Sequence, residues 1–492
     1  MNCRDGMPGA RLTASKEAPN VALERTAGSR ALAAAAQRGV RPERVEQEAG
    51  NRAHQPQMTE PARILFAMFQ GGGNIPLIMP VVARLVDRGH RVRVMAGPGV
   101  RHSRLPVSTA FRHRIGAAGA ILIPFPDPDV HPMEPAPFAR GLIGGWVPKA
   151  FRSVQREAQA TLWAPVWAER VATELRREPA DVVVSDFVLL GAIAAAEAAG
   201  IPAVVLMHTV PPRPVSGVPP YGPGLLPARG AVAVLRDALG RAVVDRIHVR
   251  NGGPPLKRAR ALLGLPDLRS PFEQYNTAAR VLVLTSPAFD YAAGHQAPNV
   301  RYVGTPLDDA GAAPWNLPWP PEDARPLVLV SLSTLEQGQA AVLQRVIQSL
   351  APLAVRGLVT LGPALDPAQF EAPPNVRLET FVPHSAVLPH AKAMVTQCGL
   401  GTLMKALTHG VPLVCIPLVG DQPDNAARVV AHGAGIRLGR DSTPEQIRAA
   451  IEQVLRQPGF GESARRMAGI LAKENGAQTA AEEIESAARP RA

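Results

Sequence analysis

Cysteine is scarce in this 492-residue chain: Cys3, Cys398 and Cys415 are all there are. Three cannot build a disulfide framework, which excludes the small disulfide-stapled secreted folds and points to a reducing compartment, with the cytoplasm as the expected location. Lysine is scarcer still for its class, 6 Lys against 47 Arg. With 51 Pro and abundant Ala, that ratio reads as high-GC codon usage rather than as a nucleic-acid surface, despite a net charge of +12. No run of 18 apolar residues occurs, so no membrane-spanning helix is expected. Charged residues are only 19 % and apolar residues 46 %, which excludes a wholly disordered or coiled-coil chain. What remains is a multi-domain globular protein with length enough for a large core.

Residues 1–57 stand apart. They are rich in Arg, Ala and Glu, and Leu12, Leu23 and Leu32 are almost their only large apolar residues. They read as a disordered segment or as an extension upstream of the true initiator, Met58. From residue 62 onward, short apolar runs alternate with amphipathic segments. Strands are expected at 63–69, 91–95, 120–123, 181–185 and 203–207, with closing strands near 281–284 and 300–303. A stretch containing Pro306, Pro314, Pro318, Pro320, Pro321 and Pro326 holds little that could enter a core and reads as a semi-rigid linker. The alternation then restarts at 327–331, 355–361, 376–379, 393–396, 412–416 and 435–438. Thr443-Pro444-Glu445-Gln446 opens a helix with Thr as cap and Gln reaching back. Near-continuous apolar strands between helices mean parallel sheets covered on both faces. The expected class is α/β, two doubly wound domains facing across a cleft. Its divisions are 58–304, a linker at 305–326, a second domain at 327–470, and a C-terminal helix and tail at 471–492.

Chemistry concentrates in Val395-Thr396-Gln397-Cys398-Gly399-Leu400-Gly401-Thr402, a strand running through a Gly-containing turn into a helix. Free N–H groups and the helix dipole there favour an anion such as phosphate. Taken alone, the stretch reads first as an ordinary strand-to-helix turn with a Thr cap. Around it stand Phe381-Val382-Pro383-His384 upstream and Asp421-Gln422-Pro423-Asp424-Asn425 downstream. A carboxylate next to an amide can orient a polyol through several hydrogen bonds. By itself the pair also suits a solvated turn before a helix. No His, Cys, Asp or Glu set has metal-ligand spacing. The triple glycine Gly71–Gly73 does not continue into a dinucleotide G-x-G-x-x-G.

In this order and spacing, residues 381–438 resemble the nucleotide-sugar-binding signature of the UDP-glycosyltransferase-like (family 1) enzymes. The likeness extends over 62–470, including Arg88-Gly89-His90 and Ser331-Leu332-Ser333-Thr334, and is greatest to actinobacterial natural-product glycosyltransferases. It implies the GT-B fold of two Rossmann-like domains, with 58–304 binding the acceptor and 327–470 the nucleotide sugar. By position it implies that Phe381 stacks on the base, the Val382 backbone reads it, and His384 approaches the ribose. Gly399, Gly401 and Thr402 would cradle the diphosphate, with Gln397 beside them and Thr334 assisting, while Asp421 and Gln422 would hold the sugar. The implied reaction is inverting transfer from a UDP- or TDP-sugar to a lipophilic hydroxyl. The nucleotide sugar is a co-substrate, and no metal or other cofactor is expected.

Three positions depart from the family pattern. Gln397 stands where a His is usual, and Lys405 where a Glu is usual. Gly72 occupies the place of the His that commonly takes the acceptor's proton. The Asp that normally orients that His is present as Asp186, at the end of a strand, and is the expected base, directly or through a water. His208, after the 203–207 strand, is the second candidate. The residues 124–180 and 208–262 should wall the acceptor site, bringing Phe125, Met133, Phe138, Trp146, Phe151, Trp163, Trp167 and Tyr221. Taken singly, each of these aromatics reads first as plain core. The three departures also suit a second reading, a catalytically degenerate homologue that binds a ligand or serves as an auxiliary partner. A homo-oligomer is compatible with either reading, and a nucleic-acid partner is expected for neither.

Overall fold

The computed structural model describes residues 60–69, 71, 73–97, 108–125, 149–307, 315–333 and 337–489. The segment 1–57, Gly72, Thr334, Met133, Phe138 and Trp146 lie outside the described residues. Strands β1 (Arg63–Phe69), β2 (Arg91–Gly97), β3 (Ile121–Ile123), β4 (Val182–Asp186), β5 (Ala203–Met207), β6 (Arg280–Val283) and β7 (Val300–Tyr302) form a first sheet. Its order is β3-β2-β1-β4-β5-β6-β7, parallel throughout. Helices α1 (Ile75–Asp87), α2 (Thr109–Ala117), α3 (Arg152–Ala158), α4 (Ala164–Arg177), α5 (Leu190–Ala198) and α6 (Ala231–Leu262) belong to this half.

The second sheet consists of β8 (Leu327–Ser331), β9 (Arg356–Thr360), β10 (Val376–Glu379), β11 (Ala391–Thr396), β12 (Leu413–Cys415) and β13 (Gly435–Arg437), in the order β10-β9-β8-β11-β12-β13 and again all parallel. With it come α7 (Ala340–Leu350), α8 (His384–Val387), α9 (Leu400–Thr408), α10 (Gln422–Ala431), α11 (Pro444–Arg456), α12 (Pro458–Leu471) and α13 (Gly476–Ala488). Every observed strand begins and ends within two residues of its expected bounds. The reason is burial. Strands such as Val182–Asp186 and Leu327–Ser331 are covered on both faces, so they read as unbroken apolar runs. The Thr443 capping box forms as expected, both reciprocal bonds being present.

Two details bear on how the halves are held. The proline-rich stretch contributes more than expected: Trp315, Leu317 and Trp319 pack half-buried against the apolar core. Large aromatic and aliphatic side chains interleaved with proline recover burial that the proline count conceals. The last helix, α13, leaves the second sheet and packs on α1 of the first half. Its Glu485 accepts from Arg88 Nε at 2.5 Å, Arg88 Nη2 at 2.7 Å and His90 Nε2 at 2.7 Å. Arg88-Gly89-His90 is therefore a clamp for the C-terminal helix.

In both sheets the chain runs outward from a central strand and then returns to its other side, at β1/β4 and at β8/β11. Ligands in such sheets sit beyond the carboxyl ends of the strands at these reversal points. β4 ends at Asp186 and β11 runs into Gln397.

Candidate active site

The first half of the site follows from strand register. Asp186 pairs with Leu206 across β4 and β5. Side chains two residues apart share a sheet face, so His208 extends from β5 on the same face as Asp186. Its Nε2 lies 3.1 Å from Asp186 Oδ2. The same oxygen accepts from Asn74 Nδ2 at 3.1 Å, and Oδ1 accepts from the Val188 amide at 3.3 Å. Asn74 also donates to the Phe69 carbonyl at 2.8 Å and accepts from the Gly71 amide at 3.1 Å, fixing the turn after β1. The His208 ring packs edge-on to Phe187 at 4.9 Å between centroids and lies 6.2 Å from Phe69. Asp186 is fully enclosed, its side chain 0 % exposed, whereas His208 is 14 % exposed. Burial alone would lower the His208 pKa. The Asp186 charge and hydrogen bond, with Asp421 adding to them, reverse this and leave it above the ordinary value.

The second half gathers on β11 and α10. Cys398 takes φ 68°, the one non-glycine residue in the left-handed region among the described residues. This turns the chain sharply into α9, whose first turn opens at Gly399 with no side-chain cap. The uncapped N–H groups therefore face the cleft end of the sheet. Gly401 sits across from Leu77 of α1; a Cβ there would stand 3.7 Å from it, so this turn borders the first half. Thr402 is half-buried in the same turn. Gln397 is buried, and its Oε1 accepts from Thr396 Oγ1 at 3.1 Å. Asn425 ties two loops together, donating to the Cys398 carbonyl at 2.9 Å and to Asp421 Oδ2 at 2.8 Å. Phe381 is 77 % exposed, Val382 is buried, and His384 opens the one-turn helix α8 half-buried. Lys405 is half-buried on α9.

The two halves meet at Asp421. Thr209, next to His208, is buried, and its hydroxyl makes no well-formed hydrogen bond within the protein. It is nonetheless near enough to Asp421 to act on that carboxyl. Burial raises the Asp421 pKa, while Asn425, Thr209 and His208 oppose the rise. Beside it, Asp424 accepts from the amides of Gly222 at 2.7 Å and Gly224 at 3.2 Å. Arg437 donates to the Gly224 carbonyl, and Arg428 donates to Asp290 Oδ1 at 2.7 Å. Gly224 is required there: at φ +64° a Cβ would come 2.3 Å from the Pro423 carbonyl oxygen.

Sequence reasoning missed several members of the site. Glu157 on α3 accepts from Tyr221 Oη at 2.5 Å and borders Asp421, Asp424 and His208. Asn74 was likewise missed, and Asp424 was given no role of its own within the 421–425 stretch. These partners lie 64 to 202 residues apart, so no periodicity or local spacing could announce them. Gln422 is committed to its own turn: its Oε1 accepts from the Leu418 and Val419 amides at 2.8 and 2.9 Å, and its Nε2 donates to Gln337 at 3.2 Å. Of the aromatics expected near an acceptor, Trp163 and Trp167 are core, Phe125 packs on Trp167 at 5.0 Å, and Tyr221 is buried against Glu157.

Two doubly wound parallel sheets, each offering its carboxyl edge to one shared site, are the GT-B architecture. Residues 344–487 match the family model described as erythromycin biosynthesis protein CIII-like, C-terminal domain. The chain is 32 % identical to 4'-demethylrebeccamycin synthase of Lentzea aerocolonigenes over 438 residues, 86 % of this chain and 99 % of that protein. It is 30 % identical to demethyllactenocin mycarosyltransferase of Streptomyces fradiae over 203 residues, 39 % of this chain and 44 % of that one. Among solved structures, the glycosyltransferase of kitacinnamycin shares the fold with a TM-score of 0.65 at 22 % identity, covering 87 % of this chain and 99 % of its own. The chain belongs to the UDP-glycosyltransferase-like (family 1) glycosyltransferases of natural-product type. It is a sugar-transferring enzyme.

Proposed function

We propose that the enzyme moves a hexose from a UDP- or TDP-sugar to a hydroxyl of a lipophilic acceptor, by a single displacement that inverts the anomeric centre. The observation that carries this reading is the meeting of Asp186, His208 and Thr209 from one sheet with Asp421 at the edge of the other. A proton-transfer pair thus stands beside a carboxylate able to hold a polyol. The uncapped start of α9 at Gly399, with Gly401 and Thr402, suits a diphosphate, and the exposed Phe381 ring suits a base stacked on it. A solved neighbour sharing the fold, the glycosyltransferase VinC, is described in complex with DTDP, in line with a thymidine nucleotide as one alternative. Asp186 is too enclosed to meet an acceptor hydroxyl, so its part in proton transfer runs through a group that it holds.

Purified enzyme incubated with mixed UDP- and TDP-sugars and a panel of hydrophobic aglycones tests the reading. Acceptor-dependent release of UDP or TDP is expected. Release that is independent of every acceptor would count against it.

A further inference from the structure

We infer that His208 takes the acceptor's proton, with Asp186 as the positioning residue behind it, so that the base of this enzyme sits at the carboxyl end of β5. The inference rests on the sugar-transfer reading above. Three groups donate to the Asp186 carboxylate: Asn74 Nδ2, the Val188 amide and His208 Nε2. Neither amide can accept a proton near neutral pH. The loop from Gln70 to Asn74 carries no ionisable side chain at all. His208 is therefore the one group held by Asp186 that can act as a base.

Its tautomer follows from its partner. A carboxylate accepts, so Nε2 carries the hydrogen and Nδ1 keeps its lone pair. Phe187 and Phe69 hold the ring in place. Adjacent to it are the buried Thr209 hydroxyl and, across the cleft, Asp421, on whose carboxyl Thr209 and His208 both act. In the reaction, the acceptor oxygen bonds to the anomeric carbon as the bond from that carbon to the phosphate oxygen breaks. The nucleoside diphosphate leaves with the bonding pair, and the acceptor's proton passes to His208 Nδ1. The imidazolium formed is stabilised by Asp186 and later returns its proton to solvent.

The charged and titratable groups facing His208 are Asp186 from β4, Glu157 from α3 and Asp421 at the start of α10. Asp186 and Asp421 favour the imidazolium, while Glu157, whose own pKa is raised to about 8, keeps its proton over most of the range in which His208 titrates. The acid limb of the pH–rate profile should therefore lie above the ordinary His range.

The test compares the wild type with His208→Ala, His208→Gln and Asp186→Asn, each checked for UDP and TDP binding by calorimetry. Expected are a fall in kcat of about 10²- to 10⁴-fold for both His208 variants and donor affinity within about twofold of wild type. Added imidazole should restore part of the His208→Ala turnover, and Asp186→Asn should move the acid limb to lower pH. Should His208→Ala fail to bind donor, the turnover of the near-isosteric His208→Gln decides the matter. His208 variants that keep kcat within about threefold, with the wild-type acid limb, would overturn the inference alone. A wild type that transfers no sugar to any acceptor would overturn the reading beneath it as well.

Discussion

Glu157 should make this enzyme less stable as pH rises, and Glu157→Gln should remove much of that loss. Burial, opposed by the Tyr221 hydrogen bond and reinforced by the charges of Asp421 and Asp424, pushes the carboxyl from an ordinary 4.5 up to about 8. In the unfolded chain it ionises near the ordinary value, so between the two pKa values the folded state binds the extra proton. Stability therefore falls as pH rises through that window. From about pH 5.5 to about pH 8.5 the full shift corresponds to roughly 3 kcal/mol, and nearer 2 kcal/mol once the side chain's partial contact with solvent is allowed for. Glutamine keeps the size and an acceptor for Tyr221 but cannot ionise. Equilibrium urea unfolding of the full chain at the two pH values, wild type against variant, reads the difference directly. Equal losses in the two proteins, or a greater loss in the variant, would refute the reasoning.

Two further perturbations follow from named contacts. Glu485→Ala leaves Arg88 and the enclosed His90 without their carboxylate, at a cost of about 3 kcal/mol; hydrogen exchange over 476–488 should accelerate about 100-fold, and unchanged protection would contradict the clamp. Gln397→His adds a cationic donor beside the α9 turn and should tighten UDP or TDP binding about fivefold, worth roughly 1 kcal/mol. Calorimetry at a pH where imidazole is protonated measures it, and weaker binding would show that Gln397 does not face the diphosphate.

The fold was legible because its signal is local and repeated. Val182–Asp186, Ala203–Met207 and Leu327–Ser331 are apolar runs that only a sheet covered on both faces requires. The strand-to-helix junction that carries Gln397, Gly399, Gly401 and Thr402 was equally legible as structure. The contact proposed for proton transfer, Asp186 with His208, was half legible. Asp186 ends a strand, but its partnership with His208 needs the knowledge that β4 and β5 are neighbours with Asp186 opposite Leu206. Tyr221 and Asp424 stood in candidate segments, but their pairings with Glu157 and with Gly222 and Gly224 carried no signal. They depend on a long segment, 208–230, returning across the second sheet's edge. Gln422 shows the reverse: a residue type suited to binding a sugar whose acceptor oxygen is already taken by two backbone amides.

The central claim is coupled transfer of a sugar at the meeting of these two sheets. Its most direct measurement quantifies, in one reaction, the nucleoside diphosphate released and the glycoside formed, with the anomeric configuration of the product read by NMR. The account predicts one equivalent of each, with the configuration opposite to that of the donor, and loss of both in Asp421→Ala. Nucleoside diphosphate without glycoside, or a product that retains the donor's configuration, would contradict it.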